Sequence, residues 1–142
     1  MVLTLRVEHL QVLADALTAA GKDPVVLKGG MGATAGRAAL ARLDLADKAR
    51  DDAAPPLLVV ATGSYVGEGF DCPALDTLFL PAPIASKGRL VQYAGRILRP
   101  YPGKATAQVH DYHDINVGVL AASLAKRAPG YTSLGFPDPR RR

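Results

Sequence analysis

Residues 57–71 read LLVVATGSYVGEGFD and combine a short apolar run with a glycine-rich loop. An uninterrupted apolar run of this length predicts a strand that is buried on both faces of a parallel sheet. The loop opens at Thr62-Gly63-Ser64 and continues into a glycine-spaced turn that ends at Asp71. In open α/β sheets, ligands bind beyond the carboxyl ends of the strands, which is where this loop is expected. The stretch therefore predicts an α/β fold and the edge of the sheet that carries the site.

A second stretch, residues 92–100, reads QYAGRILRP and predicts a short amphipathic helix. On such a helix Gln92, Arg96 and Arg99 share one stripe, at positions i, i+4 and i+7. The apolar residues on the opposite side are Leu90, Ala94, Ile97 and Leu98. Pro100 is expected to end the helix, because proline disfavours helical geometry at the residue before it. Two neighbouring guanidiniums suit a polyphosphate, whereas the alternative interpretation is a solvated basic face.

The rest of the chain alternates short strands with helical segments. Strands are predicted at residues 2–5, 25–27, 57–60, 77–80 and 107–110. This alternation predicts a mostly parallel, doubly wound α/β sheet with helices on both faces. The last helix is expected to begin at Asp114 and end at Gly130, so that residues 1–129 form one domain and residues 130–142 an irregular tail. Residues 48–56, KARDDAAPP, form a charged, proline-ended connector, which predicts a mobile loop.

The composition is that of an ordinary globular domain. The 142 residues match a single domain, and the formal net charge of +4 is compatible with a polyanionic partner without requiring one. The single cysteine, Cys72, excludes an internal disulfide and is typical of a reducing compartment. No apolar stretch is long enough to cross a membrane, and charged residues near the N-terminus interrupt any secretory signal. We therefore expect a cytoplasmic protein without a membrane partner.

Three segments with suggestive residue types do not qualify as nucleotide-binding loops or metal sites, although the first of them can still contact nucleic-acid phosphates. Residues 28–37, KGGMGATAGR, match neither the phosphate-loop pattern nor the dinucleotide fingerprint. Gly103-Lys104 is followed by Ala105 rather than by Ser or Thr, so it is not a phosphate loop either. Residues 110–114, HDYHD, have metal-ligand types, but a strand alternates its faces and no second His or Cys cluster completes a coordination shell. No metal site is predicted.

The two stretches quoted above together resemble motifs V and VI of the superfamily 2 helicases, the DEAD/DEAH-like group. Motif VI in this group reads roughly Q-x-x-G-R-x-x-R, and every fixed position is present, with Gln92, Arg96 and Arg99 among them. The residues between the stretches are similar to the strand and loop that join the motifs in the family, and the likeness extends from about residue 4 to residue 114. The resemblance is to restriction-subunit-like and repair-like bacterial helicases, and it implies a three-layer RecA-like domain.

The resemblance also implies a role for each matching position. Arg96 and Arg99 would face the γ-phosphate of ATP, as an arginine finger does, and Gln92 would support that contact. The positions implied at the nucleotide are Gly67, Gly69 and Asp71, of which the last would lie near the sugar. The positions implied to touch the nucleic-acid strand, or to link it to the nucleotide site, are Thr4, Arg6, Lys28, Gly29, Thr62 and Gly63.

The chain lacks the parts that bind the ATP phosphates and Mg²⁺ in such helicases. It contains no GxxxxGK[ST] loop and no Asp-Glu dipeptide, and its first predicted strand begins almost at residue 1, as expected of a fragment. The resemblance therefore implies the second of two RecA-like domains, with ATP and Mg²⁺ held mainly by an N-terminal RecA-like domain of the same protein. A nucleic acid, preferentially DNA, is the other implied partner. Two functions stay open: the motor half of an ATP-dependent helicase or translocase, and a non-catalytic RecA-like module that binds nucleic acid.

Overall fold

The structure is a computed structural model that describes residues 1–48 and 56–141. These residues form strands and helices that alternate along the chain. In order, the elements are β1 (Val2–Thr4), α1 (Val7–Ala19), β2 (Val25–Leu27), α2 (Ala33–Lys48), β3 (Val59–Thr62), α3 (Gly63–Gly67), β4 (Thr77–Leu80), α4 (Lys87–Ile97), β5 (Gln108–Asp111) and α5 (Gly118–Ser133). The predicted connector falls largely on residues 49–55, which lie outside the described residues.

All the strand pairs in the described sheet are parallel, in the order β2-β3-β1-β4-β5. β1 therefore lies at the centre of the sheet, with Val2 beside Val60 of β3 and Phe79 of β4. Parallel neighbours need crossover connections, which are almost always right-handed. The chain runs outward from β1 to β2 and then back across the sheet, so α1 lies on one face and both α2 and α4 lie on the other. The prediction of a parallel α/β sheet with helices on both faces is confirmed.

The buried strands divide their side chains between two cores, because successive residues of a strand point to opposite faces. Val59 and Ala61 of β3 belong to the larger core, which α2 and α4 cover. Other members of this core are Leu27, Leu43, Leu78, Leu80, Leu90 and Ile97. Val60 is fully buried and points to the other face, where α1 contributes Leu10 and Ala14. Both faces of the sheet are therefore shielded around β3.

Helix α4 ends at Ile97, before the predicted polar stripe is complete. Arg99 lies beyond the helix, and Leu98, which the pattern places on the buried side, is 39% exposed. Pro100 disfavours helical geometry at Arg99, so the pattern allows a helix up to Leu98. The observed helix ends one residue before that, at Ile97. The prediction that three polar side chains share one helical stripe is therefore wrong for Arg99, whereas Gln92 and Arg96 do lie on α4.

Helix α5 differs from its prediction at both ends. It begins at Gly118 rather than at Asp114, since the carboxylate of Asp114 accepts a hydrogen bond from the backbone N–H of Asn116 and forms a turn there. It also continues past Gly130, which packs against α4 instead of ending the helix. A Cβ added to Gly130 would lie 3.1 Å from Cδ2 of Leu90, so the missing side chain lets the two helices approach closely. The boundary predicted at residue 130 therefore falls inside a helix.

Candidate functional site

A hydrogen bond joins the two motif stretches beside α3 and α4. The side-chain amide of Gln92, on the exposed side of α4, donates to the backbone carbonyl of Gly67 at 3.2 Å. Gly67 is the last residue of α3, and Gly69 and Asp71 follow it in the segment that leads to β4. Two stretches that are separated by 25 residues at this contact are thus neighbours in space, as the predicted nucleotide site requires.

The guanidinium of Arg99 forms an ion pair with the carboxylate of Asp71, with 2.9 Å between Nη1 and Oδ2. Both side chains stay about half exposed, at 49% and 40%. An exposed pair of this kind contributes at most about 1 kcal/mol, so an anionic ligand can displace the carboxylate easily. Arg96 lies one turn after Gln92 on the same side of α4 and is partly exposed. Both arginines are therefore within reach of a ligand.

The residues predicted to meet the nucleic-acid strand lie at the carboxyl ends of β1, β2 and β3. Thr4 and Thr62 are register partners at the ends of β1 and β3, and both are buried. The hydroxyl of Thr4 is 2.9 Å from Nδ1 of His9, and the hydroxyl of Thr62 is 3.3 Å from that of Ser64. Each threonine hydroxyl therefore has a protein partner, whereas the neighbouring Ser64 is exposed.

Arg6, Lys28 and Gly29 occupy the more accessible positions at the same edge. Arg6 is exposed and immediately precedes α1. Lys28 and Gly29 directly follow β2, where the glycine is exposed and the lysine is partly exposed. Arginine and lysine side chains and backbone N–H groups are the usual donors to phosphate oxygens. The predicted strand-binding set thus contains three accessible residues, while its two threonines face the protein.

A close contact between Gly63 and Tyr93 joins this edge to α4. Gly63 is the first residue of α3 and is buried, and a Cβ added to it would lie 2.4 Å from the hydroxyl oxygen of Tyr93. Tyr93 is buried and follows Gln92 directly in α4. Burial raises the pKa of Tyr93, and the positive charge of Arg89 acts in the opposite direction. The missing side chain at position 63 therefore permits direct contact between the candidate strand-binding edge and the helix that carries Arg96.

Replacing Gly63 with alanine should lower the free energy of unfolding by about 1–3 kcal/mol, because the new methyl group overpacks against Tyr93. Chemical denaturation of the domain measures this change. Gly67→Ala is the matched control, since a Cβ at Gly67 would lie 3.5 Å from the Gln92 amide, an ordinary contact distance. Equal stability of the Gly63→Ala variant and the wild type would contradict the close packing of Tyr93 against this position.

A buried ionic cluster between β5 and α5 has almost no signal in the sequence. The side chain of Arg127 is fully buried and donates two hydrogen bonds of 2.7 Å to the carboxylate of Asp111. Tyr131 donates a third at 2.6 Å, and burial together with this bond raises the pKa of its phenol, which keeps the donor protonated. Arg127 also reaches the carbonyl of Ile84, in the loop before α4, at 3.5 Å. The i, i+4 spacing of Arg127 and Tyr131 is the one signal that could have indicated the cluster.

Metal-binding and membrane-spanning features are absent from the part of the chain that the structure describes. Within residues 1–48 and 56–141, no three His, Cys, Asp or Glu side chains come together to hold a metal ion. In the same ranges, no helix is both long enough and apolar enough to span a membrane. A shallow depression of about 550 Å³ lies at the ends of β4 and β5, beside Tyr112 and His113. None of the residues predicted to contact the nucleotide or the nucleic acid lines this depression.

No protein-family model and no curated protein matches the chain, but several solved structures are similar to it. The E. coli DEAD-box protein SrmB, solved bound to regulator of ribonuclease activity A, is 23% identical, with a TM-score of 0.64 over 90% of this chain and 66% of that one. The ATP-dependent Type ISP restriction-modification enzyme LlaBIII, solved bound to DNA, is 18% identical, with a TM-score of 0.64 over 93% of this chain and 10% of that one. The C-terminal part of the Fun30 ATPase domain is 14% identical, with a TM-score of 0.59 over 78% of this chain and 33% of that one.

The chain thus spans between a tenth and about two thirds of the length of these similar structures. At such identities the likeness establishes the fold. This likeness agrees with the five-stranded parallel sheet. The chain has a three-layer α/β fold of the RecA-like type, as these solved structures do.

Proposed function

We propose that the chain is the second motor domain of an ATP-dependent nucleic-acid helicase or translocase. In this role it supplies the arginine finger and part of the surface that binds the strand. The observation that carries the proposal is the Arg99–Asp71 ion pair next to the Gln92–Gly67 hydrogen bond, which together make one ligand-accessible group from the two motif stretches. The helicase-type fold provides the frame for this group.

The exposed guanidiniums suit the terminal phosphate of ATP. Arg99 is 49% exposed in its ion pair, so it can exchange the Asp71 carboxylate for a phosphate without any change in the core. Gln92 fixes the carbonyl of Gly67 and thereby the turn that leads to Asp71, which is left free to approach the sugar. Bound ATP would supply a γ-phosphoryl group that is transferred to water, with negative charge spread over its three equatorial oxygens in the transition state. Arg96 and Arg99 carry a permanent positive charge and stabilise it.

A separate N-terminal RecA-like domain of the same protein holds ATP and Mg²⁺ in this proposal. The support is the sequence itself, which has neither a phosphate loop nor an Asp-Glu dipeptide. The exposed ends of Arg96 and Arg99 then act across the cleft between the two domains. The cleft closes on ATP and opens again after hydrolysis, and this alternation moves the bound nucleic acid.

The nucleic acid, preferentially DNA, runs across the carboxyl ends of β1, β2 and β3. Arg6, Lys28 and Gly29 are the accessible residues there and bind phosphate oxygens. The buried Thr4 and Thr62 hold this edge in shape through their bonds to α1 and α3. The Gly63–Tyr93 contact connects the edge of the sheet that binds nucleic acid to the helix of the nucleotide site.

Salt-dependent binding of single-stranded DNA tests the position of the strand. Binding by the chain should be weak, and each phosphate contact should contribute about −0.7 to the slope of log K against log salt. Lys28→Gln should therefore make the slope shallower by about 0.7. Lys22→Gln is the matched control, because Lys22 precedes β2 and lies at the opposite, amino edge of the sheet. Fluorescence anisotropy titrations at several salt concentrations measure both slopes.

A slope that Lys28→Gln leaves unchanged, or that Lys22→Gln changes equally, would contradict this path of the strand. The same titration with single-stranded RNA tests the preference for DNA. A non-catalytic module that binds nucleic acid would show the same salt dependence. The two functions differ instead in ATP turnover by the whole protein, which would not depend on Arg99 if the chain were a non-catalytic module.

A further inference from the structure

A tight turn follows α4 and directs the chain back toward the end of that helix. The backbone N–H of Lys104 donates to the carbonyl of Tyr101 at 3.0 Å, with Pro102 and Gly103 at the two central positions. Gly103 has a φ of 82°, the left-handed conformation that the third residue of a type II turn requires and that glycine adopts without strain. Proline favours the second position of the same turn. Pro102-Gly103 therefore sets the direction in which the Lys104 side chain leaves the turn.

The ammonium group of Lys104 donates hydrogen bonds to three backbone carbonyls. The acceptors are Leu75 at 2.7 Å, Arg99 at 2.9 Å and Pro73 at 3.0 Å. An ammonium has three donors, so this set of bonds uses all of them. Burial lowers the pKa of Lys104, and the negative charge of Asp76 acts in the opposite direction. A lysine engaged in this way belongs to the protein scaffold and has no donor left for a phosphate.

Residues 71–75 restrain the side chain of Arg99 directly and its backbone through Lys104. The segment 71–75 provides the Asp71 carboxylate to the guanidinium and two carbonyls to Lys104. Lys104 in turn holds the backbone carbonyl of Arg99. Arg99 lies beyond the last residue of α4, so the helix does not fix its backbone. The Lys104 ammonium therefore replaces the missing helical turn as the restraint on this residue.

We propose that Lys104 is a positioning residue for Arg99. It fixes the Arg99 backbone relative to residues 71–75, so that the guanidinium meets the nucleotide at one defined place. A misplacement of about 1 Å can lower an enzymatic rate about 100-fold, so such a restraint has a measurable effect. The inference rests on the proposed function, because a fixed Arg99 matters for turnover only where Arg99 acts on a nucleotide.

A double-mutant cycle in the whole protein, with its ATP-binding domain, tests the proposal. Lys104→Met should lower kcat for nucleic-acid-stimulated ATP hydrolysis by about 10- to 100-fold, with little change in KM. In an Arg99→Ala background, the same substitution should change kcat by less than about twofold, since no guanidinium is left to misplace. Lys104→Arg should recover part of the activity because it keeps several donors. Lys126→Met, at an exposed lysine of α5, is the matched control and should leave kcat unchanged.

Equal losses of kcat in the two backgrounds would assign Lys104 a general structural role and overturn the proposal. A folded Lys104→Met variant with full activity would overturn it as well. Thermal melting accompanies the kinetics, and where Lys104→Met does not fold, Lys104→Gln takes its place, since a neutral amide retains two donors. An Arg99→Ala variant with unchanged kcat would contradict the proposed function instead, so the two failures are distinguishable.

Discussion

Arg99→Ala should lower ATP turnover of the whole protein by roughly 10³–10⁵, the range that an arginine finger contributes. In the proposed role, the substitution removes the positive charge that stabilises the phosphate oxygens in the transition state. The side chain is half exposed and its loss creates no core cavity, so stability should change by no more than about 1 kcal/mol, the upper bound for its exposed ion pair. Arg96→Ala should act in the same direction. Lysine at either position should rescue poorly, because it lacks the planar fork of the guanidinium.

Steady-state kinetics with saturating single-stranded DNA, together with thermal melting, measures both effects. Arg42→Ala is the matched control, because Arg42 forms an exposed ion pair with Asp23 on another part of the surface. Ile97→Ala should show the reverse pattern: Ile97 is fully buried on α4, and its truncation should cost about 2–5 kcal/mol of stability. A folded Arg99→Ala variant with wild-type turnover would exclude the arginine finger.

Arg127→Met should lower the free energy of unfolding by about 3–5 kcal/mol, the largest loss of stability expected from a single substitution of a charged residue in this domain. The Asp111 side chain is only 10% exposed, and the variant leaves its carboxylate without a cationic partner. It also removes the link to the Ile84 carbonyl, and so loosens α5 from the loop that precedes α4. Equilibrium denaturation in urea gives the change directly.

The matched control for this variant is Arg42→Met, which removes an ion pair whose side chains are 45% and 89% exposed. That loss should stay below about 1 kcal/mol. The double variant Arg127→Met/Asp111→Leu should regain much of the stability, since apolar side chains often replace a buried ion pair without loss. An Arg127→Met variant as stable as the wild type would mean that the pair is solvated rather than buried.

Most of the fold follows from local patterns in the sequence. The strands predicted at residues 25–27 and 77–80 match β2 and β4 residue for residue, because turn residues bound each apolar run. The strand predicted at residues 57–60 is observed two residues later, as Val59–Thr62. An apolar run shows that a strand exists, but the parallel partners decide where the ladder begins, and those partners are distant in the sequence.

The parts of the candidate site that the sequence does not predict depend on pairings between distant residues. Asp71 and Arg99 are 28 residues apart, and no spacing rule relates a loop carboxylate to an arginine beyond a helix. Polar residues at strand ends, such as Thr4 and Thr62, are expected to be exposed, yet the register places them side by side in the interior. Arg127 is missed for the same reason, since a helical arginine is usually on the surface.

The central place of β1 imposes an order on folding during synthesis. β1 is made first, but its neighbours β3 and β4 are made much later, so Val2 has to wait for Val60 and then for Phe79. Until β3 is available both edges of β1 are unpaired, and one edge stays unpaired until β4 is made; unpaired strand edges make nascent chains prone to aggregation. Pairings between residues so distant in the sequence also slow folding, because the entropy of loop closure is lost before the contacts form. β1 can therefore be paired on both sides only after residues 77–80 have left the ribosome.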